Sequence, residues 1–256
     1  MSTVIACYKW VVDEADIRVK VDQTIDIARA GRKISDYDKN AIETAVVLAD
    51  AIGANPVGLT FGDDTVQKSL KDALSRGLEK TLWIETTSDL SADSAVTARA
   101  LAAGVRTVED PQLVICAEGS SDSYSRQTAP RLGALLDWPV ITSVCELSVD
   151  GNTVTAVRHL DNVLETVEAQ LPVVVAVLPE INQPRIPGLK AVMAAGRKPS
   201  EKISVSDFGI DLNPSITTDS LSIYSQERKK QIIEGENPVE QVRGLVRSLT
   251  KEGVLS

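Results

Sequence analysis

The stretch PQLVICAEGSSDSYSRQTAPRLGALLDWP, residues 111–139, decides the fold. It opens as PQLVICA, an apolar run of strand length, and breaks into Gly, Ser, Ser and Asp. It then resumes as SRQTAPRLGALLDWP, a helical pattern with Pro130 in or near its first turn. A buried strand, a small polar loop and a helix in that order make one βα unit of a parallel sheet. In an open parallel sheet, ligands bind beyond the carboxyl ends of the strands, where a helix N-terminus offers unpaired N–H groups and a positive dipole. Glu118 to Ser125 would form the mouth of such a site. Small residues let the backbone approach a phosphate, and Ser and Thr hydroxyls add donors. The same composition also suits a solvated βα turn, because Ser, Asp and Gly are ordinary turn residues. A carboxylate repels a phosphate, so Asp122 reads as an acceptor for loop amides, a ribose hydroxyl or an exocyclic amine.

Upstream, strand-like and helix-like segments alternate. TVIACY (3–8) is a short apolar run, and DYDKNAIETAVVLADAIGAN (36–55) places Ile42, Ala45, Val46, Ala49 and Ile52 on one helical face before Gly53 and Asn55 end it. PVGLTFG (56–62) reads as a strand and DDTVQKSLKDALSRG (63–77) as a helix with acids in its first turn. KTLWIE (80–85) follows as a strand and SADSAVTARALAAGVRTV (91–108) as an Ala-rich helix. The expectation is an α/β fold: an open, mostly parallel sheet with helices on both faces.

Downstream the texture changes. VITSVCELSVDGNTVTAVRHL (140–160) has a DG turn between two alternating runs, a strong hairpin signal, and VLETVEAQLPVVVAVLP (163–179) adds further strand. After Pro179 the chain is Pro-rich and basic in INQPRIPGLKAVMAAGRKPSEK. The remainder is polar until a terminal helical pattern, NPVEQVRGLVRSLTKEG. This divides the chain into a domain over 1–204, with a hairpin at about 143–169, and an extended C-terminal arm over 205–256 that lies on something else.

Composition narrows the chemistry. The formal charge of −9 opposes binding to nucleic acid or an anionic membrane. No run of 18 apolar residues occurs, and the opening MSTVIACYKW lacks a basic n-region, so it reads as a first strand of a cytoplasmic protein. Cys7, Cys116 and Cys145 lack CxxC spacing and sit in apolar runs, which reads as buried thiols and not as redox or metal chemistry. His159 is the only histidine, and no HExxH, GxSxG or GxxxxGK[ST] motif is present. Solvated first-turn acids explain Asp63 and Asp64 better than acid/base catalysis. EGSSDS (118–123) is similar to the SGGxDS loop of ATP pyrophosphatases, which would make the chain an adenylating enzyme. Ser120 replaces the second glycine, however, and that motif normally follows a first strand, not a fourth. A regulatory adenine-nucleotide-binding module is a third reading.

CYKWVVDEADIRV (7–19), ISDYDKNAIETAV (34–46), DALSRGLEKTLWI (72–84), AVRHLDNVLETVEAQLPVVVA (156–176) and INQPRIPGLKAVMAAGRKP together resemble the β subunit of electron transfer flavoproteins, closest to the Fix-type members. Arg158, Asp161, Glu165 and Pro172 fall at the family's spacing, while Asn162 and Val163 depart from it. The resemblance implies an adenine-nucleotide α-hydrolase-like fold and an electron carrier without bond-making chemistry of its own. The partner would be an α subunit holding most of a shared FAD. The heterodimer would take electrons from an acyl-CoA-type or related dehydrogenase and pass them to a quinone oxidoreductase or other acceptor. It also implies a buried AMP in this chain, or a second FAD if the complex bifurcates electrons.

Carried over by position, the nucleotide site would comprise Cys7, Ser35, Asp36, Tyr37, Asp38 and Phe61. To these the loop would add Ala117, Glu118, Gly119, Ser120, Ser121, Asp122, Ser123, Tyr124, Ser125, Arg126, Gln127 and Thr128. Tyr37 matches an aromatic that lies near the α-subunit flavin, whereas Glu14 stands where a tyrosine often lies. Leu189 and Met193, in a recognition loop at about 184–199, would dock a dehydrogenase, with Glu165 also facing a partner; packing of the two apolar side chains on the domain is the alternative.

Overall fold

The computed structural model describes residues 1–86, 93–210, 212–220, 222 and 228–255. They divide into two compact units, Met1–Leu221 and Ser222–Ser256. In the first, β1 (Thr3–Cys7) leads into an excursion of two small antiparallel pairs: β2 (Trp10–Val12) with β5 (Arg32–Ile34), and β3 (Arg18–Val19) with β4 (Ile25–Asp26). Then come α1 (Asp36–Ile52), β6 (Asn55–Gly62), α2 (Gln67–Ser75), β7 (Lys80–Glu85), α3 (Ser94–Thr107), β8 (Pro111–Ala117) and α4 (Thr128–Leu136). The meander β9 (Val140–Asp150), β10 (Thr153–Leu160) and β11 (Val163–Gln170) follows, then β12 (Val173–Val177), α5 (Leu189–Ala195) and β13 (Ser200–Ser204).

Nine strands form one sheet in the order β11-β10-β9-β12-β8-β1-β6-β7-β13. From β9 to β13 every neighbouring pair is parallel, and β10 and β11 continue the sheet antiparallel. The alternation of the sequence is therefore an open, mostly parallel α/β sheet.

Helices cover both faces, which explains why the central strands read as unbroken apolar runs. Val4, Ala6, Leu113, Ile115, Val173 and Val175 pack with α1 and α2 on one face. The residues between them, Ile5, Cys7, Val114, Cys116 and Val174, pack with α3 and α4 on the other. Gly53 ends α1 in the left-handed region at φ 67°, donating its N–H to the Ala49 carbonyl. The DG turn adopts the same region at Gly151, φ 55°, and joins β9 to β10.

Two features escaped the sequence reading. The excursion over residues 8–34 is built of strands two or three residues long, too short to show a period. The edge strand β13 lies in the charged SEKIS and pairs with β7 from Ser200↔Thr81 to Ser204↔Glu85. Beyond residue 204 the chain stays on the first unit for some way. Phe208 and Leu212 pack against the α3/α4 core, and the Ser215 N–H donates to Asp93 at 2.6 Å. In the second unit, Asn237 caps α6 (Pro238–Lys251) by accepting from the Glu240 N–H at 3.0 Å, and Val239, Val242, Leu245 and Val246 are exposed. No helix among the described residues is long and apolar enough to cross a membrane.

Candidate functional site

From β1 the sheet builds outward through β6 and β7, and the next strand, β8, returns to the opposite side of β1. The winding thus reverses between β1 and β8, and a crevice opens there beyond the strand ends. A cleft, partly open to solvent, occupies it. Of the residues expected from the sequence, Cys7, Asp38, Phe61, Ala117, Glu118, Gly119, Ser120, Ser123, Ser125, Arg126, Gln127 and Thr128 line it. Ser35, Tyr37, Ser121, Asp122 and Tyr124 are not among the lining residues; they contact the loop, through Ser121 N–H to Ser35, Ser120 to Asp122 and the Tyr37–Tyr124 ring pair. Asp36 instead binds Lys33 at 2.8 Å and Lys39 at 2.5 Å.

The loop after β8 is organised around Asp122. One carboxylate oxygen accepts from the Ser120 hydroxyl and from the Ser123 N–H at 2.7 Å; the other lies 2.6 Å from Lys9 Nζ. Burial raises the Asp122 carboxyl, but Lys9, the Ser120 hydroxyl and the Ser123 amide outweigh it and hold the group below its usual value. Asp122 thus accepts from one loop amide, that of Ser123, and its ion pair with Lys9 fastens the loop to the segment that follows β1. The Ser121 N–H donates to Ser35 at 3.1 Å, tying the loop to the start of α1. Glu118 accepts from the Ser143 N–H at 2.8 Å and so braces the loop against β9.

Two loop residues, Tyr124 at φ 43° and Arg126 at φ 57°, occupy the left-handed region, at a cost of about 1–3 kcal/mol each. Their side chains stack: the Arg126 guanidinium lies 5.0 Å from the Tyr124 ring centre, and Tyr124 lies 5.2 Å from Tyr37. Gly119 makes room for the stack, because a Cβ there would sit 2.6 Å from the Tyr124 ring.

Beneath the loop, Asp38 is 6% exposed and accepts the Lys9 backbone N–H at 2.8 Å. Burial pushes its carboxyl up to about 7, against the opposing pull of the Lys9 amide and charge. The neighbouring Cys116 thiol and burial push the Cys7 thiol well above the ordinary cysteine range, so Cys7 is no nucleophile. Gln127 accepts from Ser94 at 2.9 Å and from Arg131 at 2.9 Å, joining α4 to α3. No side chain caps α4, which leaves its first-turn amides and positive dipole end at the cleft.

Sequence reasoning missed Tyr8, Lys9, Ser94, Thr97, Leu101 and Cys116 among the lining residues. A signal existed for Lys9, which directly follows the first strand, and for Ser94 and Thr97, in the first turn of a helix after a strand. Elsewhere, the Glu165 carboxylate meets Arg158 at 2.7 Å on the edge strand β11. Leu189 is 78% and Met193 68% exposed, so neither packs onto the domain. His159 is exposed on β10, and Asp63 accepts from the Thr65 N–H at 3.1 Å, a helix-end role.

The lining combines two chemistries. Cys7, Phe61, Leu101, Cys116 and Ala117 are apolar or thiol groups; Lys9, Ser123, Ser125, Arg126 and Thr128 carry hydroxyl and cationic donors, beside the carboxyl groups of Asp38 and Glu118. A flat heterocycle with a phosphate at one end fits that donor set. Fold and cleft together define an open, doubly wound α/β protein with a crevice at the switch point of the sheet. A family model described as the electron transfer flavoprotein domain matches residues 24–208, and the chain belongs to that family. Its members are flavin-associated proteins that work with other electron-transfer proteins.

Proposed function

We propose that the chain is the β-type subunit of a heterodimeric electron transfer flavoprotein, with the switch-point cleft holding the adenylate moiety common to AMP and FAD. The observation that carries the nucleotide reading is the cleft itself, whose lining brings apolar side chains of the sheet and α3 together with the hydroxyl and cationic donors of the loop after β8. Phe61 and Leu101 would flank the base, and Ser123, Ser125, Arg126 and the first turn of α4 would hold the phosphate. A bound AMP supplies rigidity and no redox chemistry, whereas a second flavin supplies electron storage. This chain's residues bind and orient in either case. The α-type partner contributes most of the site for the shared FAD. Electrons arrive from an acyl-CoA-type dehydrogenase docked at Leu189 and Met193 and leave to a quinone oxidoreductase. The exposure of both side chains supports that surface, and the exposed edge strand carrying Glu165 supports a contact with a partner.

Co-expression with an α-type subunit tests the assignment: the expected product is a yellow heterodimer. A stable, colourless monomer indifferent to that partner would contradict it. The adenylating-enzyme reading gains nothing from the geometry, because both oxygens of Asp122 are engaged within the protein. ATP–pyrophosphate exchange dependent on Asp122 would restore that reading.

A further inference from the structure

Asp38 lies in the first turn of α1, is buried, and lines the cleft beside Lys9 and Glu118. One of its carboxyl oxygens accepts the Lys9 backbone N–H at 2.8 Å. The Lys9 ammonium is committed elsewhere, to Asp122 at 2.6 Å. A buried carboxyl that has an amide partner but no cation of its own favours the neutral form. Its rise to about 7, caused first by burial and helped by the charge of Asp122, agrees with that geometry.

The same residues tie Asp38 to the loop after β8. Lys9 reaches Asp38 through its amide and Asp122 through its side chain. Ser121, next to Asp122, donates its N–H to the Ser35 hydroxyl, and the Ser35 carbonyl accepts the Asp38 N–H at 3.0 Å. Asp38 thus sits under the part of the loop that supplies the hydroxyl and cationic donors.

The titratable groups around it come from three segments. After β1 stand the Cys7 thiol and the Tyr8 phenol, both raised and therefore neutral, and the Lys9 ammonium. The loop brings Asp122, held ionised by Lys9, with Glu118 and Arg126 further along the cleft lining. On α1 itself, Asp36 and Lys39 pair with each other at 2.5 Å. With Asp38 neutral, Lys9 and Arg126 balance Asp122 and Glu118. An ionised Asp38 leaves a surplus negative charge in the cleft, and a phosphate adds to that surplus. An anionic ligand therefore raises the proton affinity of Asp38.

We infer that Asp38 is a proton-linked residue of the cleft, which takes up a proton when a phosphate-bearing nucleotide binds and releases it when the cleft is vacated at alkaline pH. The proton passes from solvent to a carboxylate oxygen of Asp38, and no bond of the nucleotide is made or broken. The inference rests on the nucleotide reading above.

The test is calorimetric titration of AMP, and separately of FAD, into the native complex depleted of its cleft nucleotide, at pH 6, 7 and 8. Each pH is run in two buffers of different ionisation enthalpy, which reports proton uptake directly. The second proton of a phosphomonoester ionises near pH 6, so pH 8 is the decisive point for AMP. There the wild type should take up close to one proton per nucleotide, and Asp38→Asn should take up none. From pH 6 to pH 8 the affinity of the wild type should fall about tenfold relative to the Asn variant, as linkage to a group titrating near 7 requires. The comparison cancels the titration of Glu118, Asp122 and the phosphate. Thermal melting confirms that the variant is folded, and Asp38→Ser supplies a second neutral variant should the Asn form melt early. Nucleotide binding without proton uptake at pH 8, or with a wild-type to variant affinity ratio that is constant in pH, would overturn the inference and leave the nucleotide reading intact. Failure of both AMP and FAD to bind wild type and variants at every pH would remove the nucleotide reading and the inference with it.

Discussion

Replacing Asp38 by Asn tests the electrostatics beneath the cleft. In the folded chain this carboxyl keeps its proton up to about pH 7, whereas its ordinary value is 3.8. Between those values the native state binds a proton that the unfolded chain releases, so this group stabilises the fold at acid pH. That contribution declines as pH rises through the window and levels off above pH 7. The shift is about three pH units, which at about 1.36 kcal/mol each sets a ceiling near 4 kcal/mol. Relaxation and water entry around a charged Asp38 lower that figure, and about 2–4 kcal/mol is expected. Asn has nearly the same shape, its carbonyl can accept the Lys9 amide now held at 2.8 Å, and it stays neutral at every pH. Asp122, Asp93 and Glu43 are held below their usual values and lose stability in the opposite direction on acidification. Comparing variant with wild type at each pH removes their contribution. Urea unfolding at pH 5, 6, 7 and 8 should show the Asn variant gaining on the wild type as pH rises, with the gain saturating near pH 8. A difference that is constant across this range, or that shrinks with pH, would refute the reasoning.

Other substitutions probe the packing and the docking surfaces. Gly133→Ala places a Cβ 2.0 Å from Val140 Cγ2 and 3.2 Å from the Trp138 carbonyl oxygen. The expected loss is about 1–3 kcal/mol from overpacking, larger than the gain of about 1 kcal/mol from removing a helical glycine. Gly104→Ala meets only side-chain ends of Ile84 and Leu59, so its urea midpoint should fall less. Lys9→Met frees Asp122; with these side chains 22% and 37% exposed, stability should change by less than about 1 kcal/mol. Loosening of the loop should nevertheless weaken adenylate binding about tenfold by calorimetry, roughly the 1.4 kcal/mol of one charge-assisted contact. Leu189→Glu with Met193→Glu should cut electron transfer from the dehydrogenase at least about tenfold at an unchanged melting temperature, since both side chains are exposed.

The parallel α/β order was legible because β1, β6, β8 and β12 are buried on both faces and therefore read as continuous Val, Ile, Leu and Ala runs. The loop Glu118–Thr128 was legible from its place between a strand and a helix, and the meander from its DG turn. Strand order was not legible, because it depends on which strands pair and not on any local pattern. The reversal between β1 and β8, and with it the meeting of Lys9 with Asp122 and of Cys7 with Cys116, appears only once the sheet is assembled. Asp36 shows the converse. Its neighbours Ser35 and Asp38 turn toward the loop and cleft, while the helical rotation at the start of α1 carries Asp36 to Lys33 and Lys39.

The most direct test of the central claim is the nucleotide content of the purified native heterodimer. Denaturation should release one adenylate-bearing molecule for the cleft of this chain, in addition to the FAD of the partner site. One AMP and one FAD per complex would identify a structural nucleotide here, and two FAD with no AMP would identify a second flavin. A complex that releases a single FAD and no other adenine nucleotide would contradict the account.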